Sequence, residues 1–105
     1  MKIKILYTTT DNLHTAKSIA KDLIEHKLSS CVQIIPKIKS LYPWQGSLEH
    51  ANEISLQIKT KPELVQTCKD IILKKHNYEI PEILSIEADI LNDNYENWFK
   101  TATEG

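Results

Sequence analysis

The stretch HNYEIPEI, residues 76–83, gathers a histidine, a tyrosine and two glutamates around one proline. A neutral imidazole suits Cu(II) or Zn(II), and a nearby carboxylate adds an oxygen donor, so His76 and Glu79 have the chemistry of a weak metal site completed across a subunit boundary. Cys31, the third candidate ligand, would suit Cu(I) as a thiolate; opening an alternating strand, it also suits the role of a small buried hydrophobe. Cys68 falls on an apolar helical stripe and reads as core, and His50 could bind metal only in company. The octapeptide also has an architectural reading. His76 favours a helix C-terminus, Tyr78 packs with its hydroxyl bonded, and Pro81 holds Ile80 extended before the next strand. Those roles leave Glu79 and Glu82 without a task inside one chain.

Catalysis would need a nucleophile beside a base, or paired carboxylates across a cleft. Nothing places Glu79 and Glu82 across a substrate, and Cys31 with His76 makes a nucleophilic pair only if the second strand adjoins the end of the second helix. The expectation is binding without turnover. Gly46 is the sole internal glycine, so neither a Walker A loop nor a GxGxxG turn can form. All 13 basic residues are lysines, dispersed among 14 acidic ones for a net charge of -1, so no basic block awaits a phosphate backbone. The absence of arginine also removes the bidentate anion fork that an acylphosphatase-like site would use. An RNA-reading sheet fails on residue type, since the two central strands offer isoleucine, lysine, serine and glutamine, with Tyr7 expected on the helix-facing side.

The elements that must position these groups are legible from periodicity. Residues 2–9 alternate with Ile3, Ile5 and Tyr7 on one face, a half-buried strand. From Asp11 or Asn12, either able to cap, apolar residues from Leu13 to Ile24 recur at helical spacing to near Lys27. Residues 30–44 are extended, turn at Gln45-Gly46, and return to about Thr60 as a hairpin. Pro62 opens a second helix to about Lys75, residues 83–90 alternate again, and a short last helix carries Tyr95, Trp98 and Phe99. The order βαββαβ plus a tail helix specifies one α+β domain over residues 1–105, a ferredoxin-like sandwich with both main helices on one face of an antiparallel sheet.

At 105 residues, 41% hydrophobic and 26% charged, the chain has the composition of one globular domain. Its first apolar run, Ile3 to Tyr7, is too short for a signal-peptide core, and no stretch approaches a membrane span, so a cytoplasmic setting with reduced thiols is expected. The hairpin strands are too long for the helices that cover them, and Leu41, Tyr42, Trp44 and Leu48 make the projecting end apolar, which predicts cover by a neighbouring subunit. Pro36 and Pro43 argue that this strand is an edge or bends at a bulge. The open sheet face is expected to show Glu53, Ser55, Gln57, Lys59, Ser85 and Glu87.

LSSCVQIIP (28–36), LYPWQGSLE (41–49), EISLQIKTKPEL (53–64), HNYEIPEI (76–83) and NYENWF (94–99), in this order and spacing, resemble the CutA divalent cation tolerance family. The resemblance implies a ferredoxin-like protomer in a homotrimer, similar in outline to the PII signalling proteins, and a link to copper or another divalent cation. It also implies a polar cleft near the subunit boundaries lined by Gln33, Trp44, Glu53, Lys59, His76, Tyr78 and Glu79. A second expectation is a PII-like sensor that holds a small anionic ligand in that cleft through Lys59 and Tyr78. Where the family commonly has proline after the histidine, this chain has Asn77, which is expected to leave the loop freer.

Overall fold

Gln45 and Gly46 both take positive φ, 48° and 81°. This is the backbone of a two-residue turn whose twist matches the flanking strands. It folds β2 (Cys31–Trp44) back on β3 (Ser47–Thr60), each 14 residues long. The structure is a computed structural model describing residues 1–104, in which β1 (Lys2–Thr10), α1 (Leu13–Glu25), α2 (Val65–Lys75), β4 (Ile83–Asp89) and α3 (Asp93–Ala102) complete the chain. The strands form one antiparallel sheet in the order β2-β3-β1-β4.

Local chemistry sets the ends of these elements. Asn12 caps α1, its Oδ1 accepting the Thr15 N–H at 2.9 Å. At the other end Lys27 sits in the left-handed region (φ 56°) and the Leu28 N–H reaches the Leu23 carbonyl at 2.9 Å, closing the helix as a Schellman motif without glycine. Pro62 begins a 3₁₀ turn over Pro62–Leu64, and the α-helix proper starts at Val65. Leu6, Ala16, Ile19, Leu23, Leu56, Ile58, Cys68 and Ile72 form the core between sheet and helices.

The β1–β3 ladder stops at Thr10↔Ile54, whereas β2–β3 continues to Trp44↔Ser47. The remainder projects as a two-stranded arm, and the molecule measures 47 × 24 × 22 Å. Between Ile35↔Ser55 and Ile38↔Glu53 the residues Pro36 and Lys37 oppose Ile54 alone, a bulge in which Lys37 takes φ 62°. The proline that cannot join the ladder thus sits where the edge strand bends. At the arm's end Leu41 and Leu48 are 61% and 65% exposed.

The faces of the sheet differ from the alternation read in β1 and β4. Leu6, Thr8 and Thr10 face the helices, in register with Ile58, Leu56 and Ile54, so Ile5 and Tyr7 belong to the open face, whereas Ile3 at the start of the strand is buried. In β4 the same register puts Leu84 and Ile86 opposite Tyr7 and Ile5, while Ser85 and Glu87 pair with Leu6 and Lys4 on the helix side. Ser85 and Glu87 are therefore not open-face residues, and Tyr7 is not helix-facing. The physical reason is that the open-face side of this central strand is the more apolar of the two, so period-two alternation does not reveal which set meets the helices. Glu53, Ser55, Gln57 and Lys59 do lie on the open face, joined by the apolar set of Ile5, Tyr7, Ile35, Leu84 and Ile86. Leu84 and Ile86 are 55% and 53% exposed there.

Candidate acidic cleft

The end of α2 is closed by the His76 N–H, which donates to the Ile72 carbonyl at 2.9 Å, after which His76 turns extended. Its ring then ties two segments together. Nε2 lies 2.8 Å from the Thr9 carbonyl oxygen, and Nδ1 accepts the Tyr78 backbone N–H at 3.0 Å. A carbonyl can only accept and an amide N–H can only donate, so the imidazole is the neutral Nε2–H tautomer with both nitrogens engaged. To ligate a metal, His76 would have to surrender one of these bonds.

Asn77 holds the same loop from its other side. Its Oδ1 accepts from the Thr10 hydroxyl and its Nδ2 donates to the Asp11 carboxylate at 2.7 Å. The expectation that Asn77 frees the loop is corrected: two side-chain bonds to the end of β1 replace the stiffness of a proline. Tyr78 is thereby aimed at the arm, its hydroxyl donating to Glu53 Oε2 at 2.6 Å and its ring 4.8 Å from the imidazole of His76. Burial, and then the Glu53 carboxylate, push the Tyr78 phenol well above its ordinary pKa. Glu53 itself is only 7% exposed although it stands on the open face. Tyr78 is its side-chain hydrogen-bond partner among the described residues.

Between the arm and the 76–82 loop lies an open cleft of about 620 Å³. The arm contributes Tyr42, Trp44, Glu49, Ala51 and Glu53; the loop contributes Asn77 to Ile80 and Glu82; Thr9 and Asp11 form the floor at the end of β1. Five carboxylates, Asp11, Glu49, Glu53, Glu79 and Glu82, line it, and no lysine or histidine does. Like charges around a partly enclosed space raise the local concentration of cations and oppose anions.

Of the residues expected in a common cleft, Trp44, Glu53, Tyr78 and Glu79 are brought together. His76 stands behind them, its ring packed on Tyr78. Gln33 and Lys59 are not in the lining; they lie further along the open face, paired with Gln57 and Cys31. Cys31, half-buried, is in register through Lys59 with Ile5, four residues along β1 from the Thr9 carbonyl that His76 binds. That offset is about 13 Å, so Cys31 and His76 do not converge within one protomer. His50 pairs with Leu41 on the other face of the arm. No group of three or more His, Cys, Asp or Glu side chains is spaced to hold a metal ion among the described residues.

Tyr42, Glu49, Asp11 and Asn77 were not expected in the cleft from the sequence. A signal existed for two of them: a two-residue turn at Gln45-Gly46 makes residues 44 and 47 opposite, and hence 42 and 49, so Tyr42 and Glu49 share the face of Trp44.

These features define a ferredoxin-like α+β protein with a projecting hairpin and an acidic cleft at its base. Residues 4–102 match the family model described as CutA1 divalent ion tolerance protein, and the chain belongs to that family. It is 33% identical over 102 residues to human Protein CutA, covering 97% of this chain and 57% of the human protein's length. The Divalent-cation tolerance protein CutA of Thermus thermophilus is 31% identical over 100 residues, covering 95% of this chain and 97% of the relative. The crystal structure of the divalent ion tolerance protein CutA1 from Ehrlichia chaffeensis superposes with a TM-score of 0.91 at 33% identity, covering 97% of this chain and 95% of that one.

Proposed function

We propose that this chain acts in divalent-cation tolerance as a cytoplasmic homotrimer that binds copper or a similar divalent ion weakly and without turnover. The observation that carries the reading is the cleft whose five carboxylates face no basic residue. Glu79 is the favoured ligand there, since His76 already spends both ring nitrogens on backbone groups and Cys31 stands on the open face. With no such cluster among the described residues of one protomer, further donors come from a neighbouring subunit, and the projecting arm with the apolar open face supports such an assembly. Reduced thiols suit a cytoplasmic setting: Cys31 and Cys68 are both free, Cys68 inside the core.

The anionic-ligand alternative has less support. Lys59 pairs with Cys31 rather than facing Tyr78, and the carboxylates around Tyr78 repel an anion. Calorimetric titration of Cu(II) and Zn(II) into the wild type and Glu79→Gln tests the reading. Binding is expected in the wild type and at least about tenfold weaker in the variant, a loss of ~1.4 kcal/mol. Equal affinity in the two proteins, or no binding to either, would overturn it.

A further inference from the structure

We propose that Lys59 of one protomer forms an ion pair with Glu53 of the next, so that each copy gives its cation to one neighbour and its carboxylate to the other. The pair presupposes the homotrimer reading and names the charged contact that sets the register of that assembly.

The open face of the sheet carries few charges, and they are opposite in sign. Below the arm it holds one cation, Lys59, and one carboxylate, Glu53; the rest of it is uncharged, from Cys31 and Gln33 at one edge to Leu84 and Ile86 at the other. Leu84 and Ile86 are more than half exposed, so this is the face that a second copy covers.

Neither charge is neutralised inside its own protomer. Among the described residues no carboxylate lies within ion-pair distance of Lys59, and no lysine or histidine lies within that distance of Glu53. Tyr78 donates to Glu53, and that neutral hydroxyl fixes the carboxylate in place without cancelling its charge. The two residues cannot serve one another either, because the extended strand β3 sets them about 20 Å apart.

Covering the face makes both charges expensive. Lys59 is already half-buried between Cys31 and Ile5, and Glu53 is 7% exposed beside Ile38. A copy laid over them removes their remaining water, and a desolvated ammonium or carboxylate without a counter-charge is strongly destabilising. The one carboxylate that an identical face brings to Lys59 is Glu53, and the one cation it brings to Glu53 is Lys59. A contact of this head-to-tail kind closes into a ring in which no copy keeps an unmatched charge. Asp11, Glu49, Glu79 and Glu82 stay outside the pair, so the cation site at Glu79 stands or falls separately.

A double-mutant cycle on assembly is the test, with Lys59→Gln, Glu53→Gln and the double variant compared with the wild type by sedimentation velocity over a dilution series, at the urea concentration that half-dissociates the wild type. Glu53→Gln keeps an acceptor for Tyr78 while removing the charge, and far-ultraviolet circular dichroism verifies that every variant is folded. Each single substitution is expected to raise the half-dissociation concentration about tenfold, because it strands the partner's charge, and the double variant is expected to be no worse than the weaker single one. Lys59→Glu, which sets two carboxylates against each other, should assemble less well than Lys59→Gln. Single variants that assemble like the wild type, or a double variant whose loss is the product of the two single losses, overturn the proposal. A wild-type trimer with either of those results defeats this pair alone, whereas a wild-type protein that stays at 12.1 kDa in urea-free buffer defeats the homotrimer reading and the pair with it.

Discussion

Replacing Tyr78 by phenylalanine removes one hydroxyl and leaves the ring in place. The hydroxyl donates at 2.6 Å to a carboxylate that is 7% exposed, so its loss strips Glu53 of its side-chain partner. Hydrogen bonds to charged groups contribute roughly 1.5–3 kcal/mol, and water from the open cleft can replace part of this one, so a loss of about 1.5–2 kcal/mol is expected at neutral pH. Urea denaturation at matched protein concentration measures it, the matching being needed because assembly couples to stability. The pH dependence gives a second check. The phenol's pKa is raised in the fold by burial and by Glu53. Above roughly pH 10 the unfolded tyrosine therefore loses a proton that the folded one keeps, and wild-type stability falls as pH rises. The slope is at most ~1.4 kcal/mol per pH unit, reduced by solvent screening of a partly exposed ring. Phenylalanine lacks this dependence, so the gap between the two proteins narrows as pH climbs from 9 towards 11. A variant as stable as wild type at neutral pH, or a gap that widens in alkali, would refute the reasoning.

Three further outcomes follow from single groups. Thr8 Oγ1 is buried in the core without a hydrogen-bond partner among the described residues, so Thr8→Val should raise stability by about 1 kcal/mol in urea; a loss of that size would mean the hydroxyl is satisfied. Asn77→Ala removes the bonds to Thr10 and Asp11 and should cost ~1–2 kcal/mol, with faster amide exchange across residues 76–82 and unchanged exchange in α1. Burial pushes the Cys68 thiol above its usual pKa, so in mildly alkaline buffer an aromatic disulfide reagent should modify Cys68 only on unfolding, with rapid native labelling counting against the packing described.

The hairpin was readable because its strands alternate and its turn residues allow only one tight reversal, and the bulge because Pro36 cannot serve a ladder. The face of β1 was not readable. Ile3, Ile5 and Tyr7 looked like the core set, yet the helices cover Leu6 together with Thr8 and Thr10, two hydroxyl residues that a hydropathy pattern discounts. An apolar open face makes sense once other copies are expected to cover it. The octapeptide was legible as chemistry and only partly as geometry. Its histidine meets Thr9 and its asparagine meets Thr10 and Asp11 across 66 or 67 residues of chain, a proximity set by β1 lying beside the end of α2. Glu79 and Glu82, which no local role explained, prove to share a cleft with carboxylates from the arm and the end of β1.

The account turns on the idea that one protomer leaves its arm and its open face, with Leu84 and Ile86 more than half exposed, for other copies to cover. Sedimentation velocity at low micromolar concentration addresses this directly, comparing the wild type with Ile86→Lys. A single species of about three times the 12.1 kDa chain mass is predicted for the wild type, dissociating in the variant. A stable 12.1 kDa wild-type particle at that concentration would contradict it.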